Sequence, residues 1–501
     1  MNSSQLLERN ARKYPNAEAV VCMGNRISYA ELNRHVNQFG HALRQEGVQA
    51  GDKVILFMPN VPEFVIAYFA VQRIGAIVVP VNAKLTQPEI EYIAEHSDAT
   101  ALIAHELLFP AIEKMKALSV LIKTGEAAGN WKSFETLLAA GDEQAIPCSL
   151  KEGDESTILY TSGTTGKPKG VLFSYRNILT VASMIAVEME VKPESRILLM
   201  MPLSHSAPLH LFLMAGVMVG STLVLTPTFT PDLFIDSIEQ EKTTHFFGAP
   251  VAYLVTANHP RLKEADLSSL KWWVYGGAPL SAPEVKHLQG AFRTDNLVCV
   301  YGMTEAGPSG SLLLAEEHET KAGSVGRRAP LHTELRIVNE QGEDVGVDEI
   351  GEVVLRGEGN MLGYYKNEEA TREAFLGEWL RTGDLAKFDA DGFIWIVDRK
   401  KDVIITGGTN IYPKEIEETI LQFEGIQEVA VVGVPHLEWG ETVKAVFAAN
   451  APIDTVKLNA FLEERLAKFK VPRLFEQVEA LPRNSSGKIL KQPLREGVTV
   501  S

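Results

Sequence analysis

Short, uninterrupted apolar runs recur along the chain at residues 54–57, 77–80, 157–160, 197–200, 222–225, 272–275 and 297–301. Runs that do not alternate apolar with polar positions belong to strands buried on both faces, which is the signature of sheets covered by helices. Segments with helical spacing lie between them. Ser28 and Glu31 form a capping-box pair, and Leu32, Val36, Phe39 and Leu43 follow at intervals that place them on one face. The longest apolar stretch, 209–225, is broken by His210, Gly216, Gly220, Ser221 and Thr222. It falls short of the roughly 20 residues that a membrane span requires and predicts a buried helix followed by a strand, with no integral membrane segment.

From about residue 322 the texture changes to short strands and turns, with turn signals at 340–342 and 389–392 and strands at 352–355 and 393–397. A small β-rich subdomain is expected there. The charged run Asp398-Arg-Lys-Lys-Asp402 marks a boundary, after which helices at 413–423 and 458–468 alternate with strands at 429–432 and 443–447. The predicted fold is α/β, with domains over 1–400 and 401–501. No internal repeat or low-complexity tract interrupts this order.

Composition narrows the function classes. A formal charge of -16 argues against nucleic acid and anionic membrane surfaces, both of which need a cationic face. Cys22, Cys148 and Cys299 form no CxxC pair, so neither a disulfide framework nor a zinc site is indicated. The N-terminal segment has no basic stretch leading into an apolar one, and the expected compartment is the cytoplasm.

The densest chemistry lies in Thr161, Ser162, Gly163, Thr164, Thr165, Gly166, Lys167, Pro168, Lys169 and Gly170. Glycines let backbone N–H groups approach an anion, hydroxyls add neutral donors and lysines add charge, a combination suited to a polyphosphate. This is not the common P-loop, because Gly163 and Gly166 are three apart and Lys167 runs into Pro168, which disfavours a helical lysine. Taken alone, the segment could also be an ordinary surface loop. Two further glycine-bearing segments, 276–280 and 301–305, follow predicted strands and could leave a slot for a planar base, although each is also an ordinary strand-to-helix turn. Glu305 offers a hard oxygen ligand for Mg²⁺. Asp384 and Arg399 could reach a ribose or form a surface ion pair, and His205 could line a pocket or be structural. Lys488 sits in a second Gly-Lys loop that lacks P-loop spacing.

In this order, TSGTTGKPKG at 161–170, PLSH at 202–205, GGAPL at 276–280, YGMTE at 301–305, LRTGD at 380–384, DRKKD through GGTNIYPKEIE at 398–417, and Gly487-Lys488 make the chain resemble the adenylate-forming superfamily, in its acyl-CoA synthetase branch. The resemblance covers nearly the whole sequence. It implies a large N-terminal domain of two packed α/β sheets and a β-barrel, and a small mobile C-terminal α+β domain. It also implies a reaction in two halves: a carboxylic acid and ATP give acyl-AMP and pyrophosphate, and CoA then takes the acyl group. By the same resemblance, 161–170 holds the β- and γ-phosphates, Thr304 the α-phosphate and Glu305 the Mg²⁺. Gly277, Ala278 and Tyr301 frame the adenine, with Pro279 and Gly302 also among the cofactor-binding residues, and Asp384 with Arg399 holds the ribose. Lys488 becomes the mobile catalytic lysine, Lys401 the hinge and Gly408 part of the thiol tunnel.

For the acid, His205, Ser206, Ala207, Leu209, Phe246, Phe247, Gly248 and Met303 form the expected pocket, mostly apolar or small. A medium- or long-chain fatty acid is the first expectation, with an aryl acid or carrier-protein loading as alternatives. A non-catalytic nucleotide-binding protein is disfavoured by the presence of Lys488, Glu305 and Asp384 together. Ser204 departs from the aromatic residue many relatives carry before the histidine, which leaves chain length open. The oligomeric state is not fixed by the sequence, and a homodimer is compatible with it.

Overall fold

The computed structural model describes residues 2–113, 115, 118–147, 149–161, 167–406, 408–483 and 489–495. The chain divides into two compact units, one of Met1–Leu335 with Leu355–Leu380, the other of Arg336–Val354 with Arg381–Ser501. The boundary runs through strands Thr333–Val338, Gly351–Gly357 and Trp379–Phe388, so the β-rich segment expected after residue 322 contributes to both.

Among the described residues, the first unit carries two eight-stranded sheets. In one, the neighbouring strands Leu297–Tyr301, Trp272–Gly276, His245–Gly248, Arg196–Leu199, Thr222–Leu225 and Glu18–Cys22 all run parallel. Their burial on both faces explains why they read as continuous apolar runs. Because they are parallel, the segments that follow 196–199, 245–248, 272–276 and 297–301 all leave from the same edge of the sheet. Open α/β sheets bind ligands at this edge.

In the other sheet, strand Glu155–Thr161 is followed by Lys169–Ser174, which returns antiparallel, with Thr161 opposite Lys169 and Tyr160 opposite Gly170. A Cβ at Gly170 would lie 2.8 Å from Ile158 Cγ2 and 3.2 Å from the Tyr160 ring, so the return strand is tightly fitted. Strand Gly363–Tyr364 adds beside it, with Tyr364 opposite Val171. The core beneath includes Ile55, Phe57, Val79, Leu102 and Ile158.

Helix Tyr29–Gln45 starts at the predicted capping box: Glu31 N–H donates to the Ser28 hydroxyl, and the Glu31 carboxylate accepts from Ser28 N–H. Leu32, Val36, Phe39 and Leu43 are buried on its inner face. The apolar stretch after residue 206 forms a π-helix, Ala207–Leu213, then α-helix Met214–Val219 and strand Thr222–Leu225. Among the described residues no helix is long and apolar enough to cross a membrane.

The second unit contains a sheet of Thr409–Ile411, Ile404–Thr406, Gly440–Ala449 and Ile426–His436, with Leu474–Val478 pairing to Gly440–Ala449. Helices Pro413–Ile420 and Thr455–Glu463 contribute Ile416, Ile420, Leu458 and Leu462 to its core. The second helix begins three residues before the expected start because the Asp454 side chain accepts from Val456 and Lys457 N–H and caps it there.

Candidate active site

Tyr301 closes its strand opposite Ser311, and the chain then turns sharply. At Gly302 a Cβ would meet the Pro308 carbonyl carbon and oxygen at 2.5 Å and Ser309 N at 2.8 Å, backbone atoms that cannot yield. Gly307, at φ +65°, comes so close to the Gly359 carbonyl that a Cβ would lie 2.4 Å away. The two glycines therefore fold 302–307 into a compact loop, and Thr304–Ala306 forms a single 3₁₀ turn at its centre. The Thr304 hydroxyl lies 3.2 Å from the Ser206 hydroxyl, which joins this loop to the segment after strand 196–199.

His205 is held beside the same edge. Its Nε2 accepts from the Asn82 amide at 3.3 Å. Desolvation, and secondarily the nearby Lys84, pushes the imidazole below its ordinary range, so it is neutral at physiological pH with its proton on Nδ1. A neutral ring can sit beside a carboxylate-derived acyl group without binding it as a counterion.

Glu305 is 8% exposed. Its Oε1 accepts from the Tyr364 hydroxyl at 2.9 Å, and its backbone carbonyl accepts from Met361 N–H at 2.8 Å. Lys169 Nζ stands 4.8 Å from the centre of the Tyr364 ring, and Lys167 Nζ is 5.5 Å from that of Tyr92. Tyr92, Lys167, Lys169 and Tyr364, with His96 and Tyr365, border a cavity of about 210 Å³. Ser162, Gly163, Thr164, Thr165 and Gly166 lie outside the described residues.

At the neighbouring strand end, Gly277 has φ +86° and is exposed with Ala278, while Pro279 is partly buried. A Cβ at Gly276 would sit 2.7 Å from the Val300 carbonyl and 3.1 Å from the Phe247 ring, so glycine is needed for Phe247 to come this close to the strand end. Alternation along strand 245–248 separates the two phenylalanines proposed for the acid pocket. Phe247 faces Phe212, 5.6 Å between centroids, whereas Phe246 packs into an aromatic cluster with Phe234 and Tyr253 at 4.8 and 5.4 Å.

In the second unit Asp384 and Arg399 pair at 2.6 Å. Nearby, the buried Glu352 carboxylate takes Arg381 at 2.8 Å and Lys400 at 3.1 Å. Asp398 accepts from Lys414 N–H at 2.8 Å, which anchors the start of the charged run to helix Pro413–Ile420. Gly408 is exposed at φ +80° with open space around it, and Lys401 is exposed. Lys488 lies outside the described residues.

The first unit thus brings Tyr301, Thr304, Glu305, His205, Gly277 and Ala278 to strand ends of one sheet and Lys167 and Lys169 to the hairpin of strands Glu155–Thr161 and Lys169–Ser174 in the other. Residues 7–365 match the family model described as AMP-binding enzyme, and 415–488 match that of the AMP-binding enzyme C-terminal domain. This chain is an AMP-binding enzyme. It belongs to the acyl-CoA synthetase branch of the adenylate-forming superfamily and is an AMP-forming acid–thiol ligase.

The enzyme is 37% identical over 493 residues to a feruloyl-CoA synthase from Amycolatopsis sp, with 97% of each chain covered. It is 34% identical to a long-chain-fatty-acid–CoA ligase from Bacillus subtilis, covering 99% of this chain and 94% of that one. Among solved structures, an anthranilate CoA ligase in complex with anthranoyl-AMP superposes with a TM-score of 0.88 at 28% identity, covering 99% and 96% of the two chains. Two contributors to the enzyme's site escape sequence reasoning. Ser206 was expected only in the acid pocket, yet it reaches Thr304. Tyr364 reaches Glu305 from 59 positions away, and its only local signal is a Gly-Tyr-Tyr run.

Proposed function

We propose that this enzyme is an ATP-dependent acyl-CoA ligase for an apolar monocarboxylic acid, first among them a medium- or long-chain fatty acid, and that it works in the cytoplasm. In the first half-reaction a carboxylate oxygen attacks the α-phosphorus of ATP, forming the acyl phosphate bond as the bond to pyrophosphate breaks. In the second, the CoA sulfur attacks the acyl carbon and AMP leaves. Two anions must meet at phosphorus, so catalysis rests on neutralising charge. Lys167 and Lys169 are assigned to the leaving phosphates and Thr304 to the α-phosphate. Gly277, Ala278, Pro279, Tyr301 and Gly302 are assigned to the adenine, Asp384 with Arg399 to the ribose, and Lys488 to adenylation. Gly408 is assigned to the thiol path.

Mg²⁺ fits Glu305. Among the described residues no group of three or more His, Cys, Asp or Glu side chains could cage a metal, and Mg²⁺ is typically held by one or two carboxylates together with substrate phosphates. When bound, it would add positive charge where the phosphates meet the enzyme.

The observation that carries the reading is the shared sheet edge at which Thr304, Ser206, Glu305 and His205 converge. The choice of acid rests on Phe247, Phe212, Gly276 and Met303, which are apolar or small and suit a tail without a second charge. An aryl acid is the second reading, supported by the close approach of the Phe247 ring to Gly276. The test is AMP formation across saturated fatty acids of graded length and hydroxycinnamic or benzoic acids, with and without CoA. Highest kcat/KM on fatty acids supports the first reading and on aryl acids the second. Adenylation with no CoA-dependent turnover for any acid would reject both.

A further inference from the structure

Tyr364 makes two contacts at once. Its hydroxyl donates to Glu305 Oε1 at 2.9 Å, and its ring lies 4.8 Å below Lys169 Nζ. Its own place is fixed independently of either. Strand Gly363–Tyr364 pairs with Lys169–Ser174, Tyr364 opposite Val171, and Val171 projects from the same face as Lys169 two residues before it. Tyr364 N–H donates to the Thr371 hydroxyl at 2.9 Å, and at Gly363 a Cβ would lie 2.8 Å from Thr371 Cγ2, so the tyrosine is locked to helix Glu368–Ala374.

Glu305 arrives from a loop of one sheet and Lys169 from a strand of the other. With its carboxylate and the lysine ammonium both unconstrained, Glu305 could close onto Lys169 and neutralise the charges that a polyphosphate and its cation need. By engaging both groups at once, the phenol would oppose this collapse. It gives the ammonium an aromatic face and occupies one carboxylate oxygen with a neutral donor, which leaves the other oxygen for a cation.

We propose that Tyr364 is a positioning residue for adenylation, holding Glu305 through its hydroxyl and Lys169 through its ring so that carboxylate and ammonium stay apart and available. This rests on the assignment of Glu305 to Mg²⁺. The test is calorimetric titration of the full-length enzyme with ATP in excess Mg²⁺ and in EDTA, together with thermal melts. Tyr364→Phe keeps the ring and removes the hydroxyl. It should reduce the preference for Mg-ATP over free ATP roughly tenfold, the usual effect of losing a carboxylate's supporting partner, and leave free-ATP affinity and the melting midpoint unchanged. Tyr364→Leu should in addition weaken free-ATP binding, because Lys169 loses its platform.

Glu305→Gln separates the two ways the idea can fail. If Glu305→Gln abolishes the Mg²⁺ preference and Tyr364→Phe does not reduce it, Tyr364 has no positioning role and the Glu305 assignment stands. If Glu305→Gln keeps the full preference, both fall. A Tyr364→Phe enzyme that melts lower and loses Mg-ATP and free-ATP affinity equally would reduce Tyr364 to a structural residue and overturn the proposal.

Discussion

Asp384 and Arg399 face each other across adjacent antiparallel strands, directly opposite in register, with Arg399 Nε 2.6 Å from the Asp384 carboxylate. The aspartate is 5% exposed, and Arg399 also points an Nη1 toward the Thr382 carbonyl at 3.5 Å. The guanidinium thus fixes the orientation of the carboxylate.

If this pair holds the ribose, as proposed, Asp384→Asn should raise KM for ATP roughly tenfold or more, the cost of replacing a charge-assisted acceptor. The mutant should also lose the ability of the wild type to distinguish ATP from 3′-deoxy-ATP. Unchanged discrimination in steady-state kinetics with the two nucleotides would assign the pair a purely structural role.

Much of this frame was readable because burial on both faces leaves a local trace. The strands at 77–80, 222–225 and 297–301 have the expected bounds, and the Ser28 to Glu31 pair is a capping box. Contacts that depend on strand order left none. Strand Gly363–Tyr364 is two residues long and joins a strand almost two hundred positions earlier, so no periodicity announces it. The π-helix was equally hidden, since Ala207–Leu213 reads as an ordinary apolar helix.

Lys488 lies outside the described residues, and its role is testable by separating the half-reactions. Lys488→Ala should lower acid-dependent pyrophosphate release roughly a hundredfold, as loss of a charge-stabilising contact does. Thioester formation from synthetic acyl-AMP and CoA should stay close to wild type. Equal loss in both assays would contradict a lysine dedicated to adenylation.

His210 sits in the π-helix, fully buried, edge-on to Phe173 at 5.0 Å, with no hydrogen-bond partner at either ring nitrogen among the described residues. Desolvation pushes its pKa down to about 3, whereas an unfolded histidine titrates near pH ~6.5. Between those values the unfolded chain binds the extra proton, so His210 lowers stability progressively as pH falls from about 6.5 toward 3. His245, pushed down to about 4, acts with the same sign. His210→Leu should therefore raise the melting midpoint more at about pH 5.5 than at about pH 8. An equal change at both would show that His210 does not contribute to acid sensitivity.

In the proposed order of steps, activation of the acid on phosphorus precedes the entry of CoA. It is tested most directly by exchange of labelled pyrophosphate into ATP, measured without CoA in the presence and absence of the preferred acid. The enzyme should catalyse exchange that requires the acid and Mg²⁺ and does not require CoA, because acyl-AMP and pyrophosphate form reversibly at the first step. Exchange that appears only with CoA, or acid-dependent turnover that yields ADP and phosphate, would contradict it.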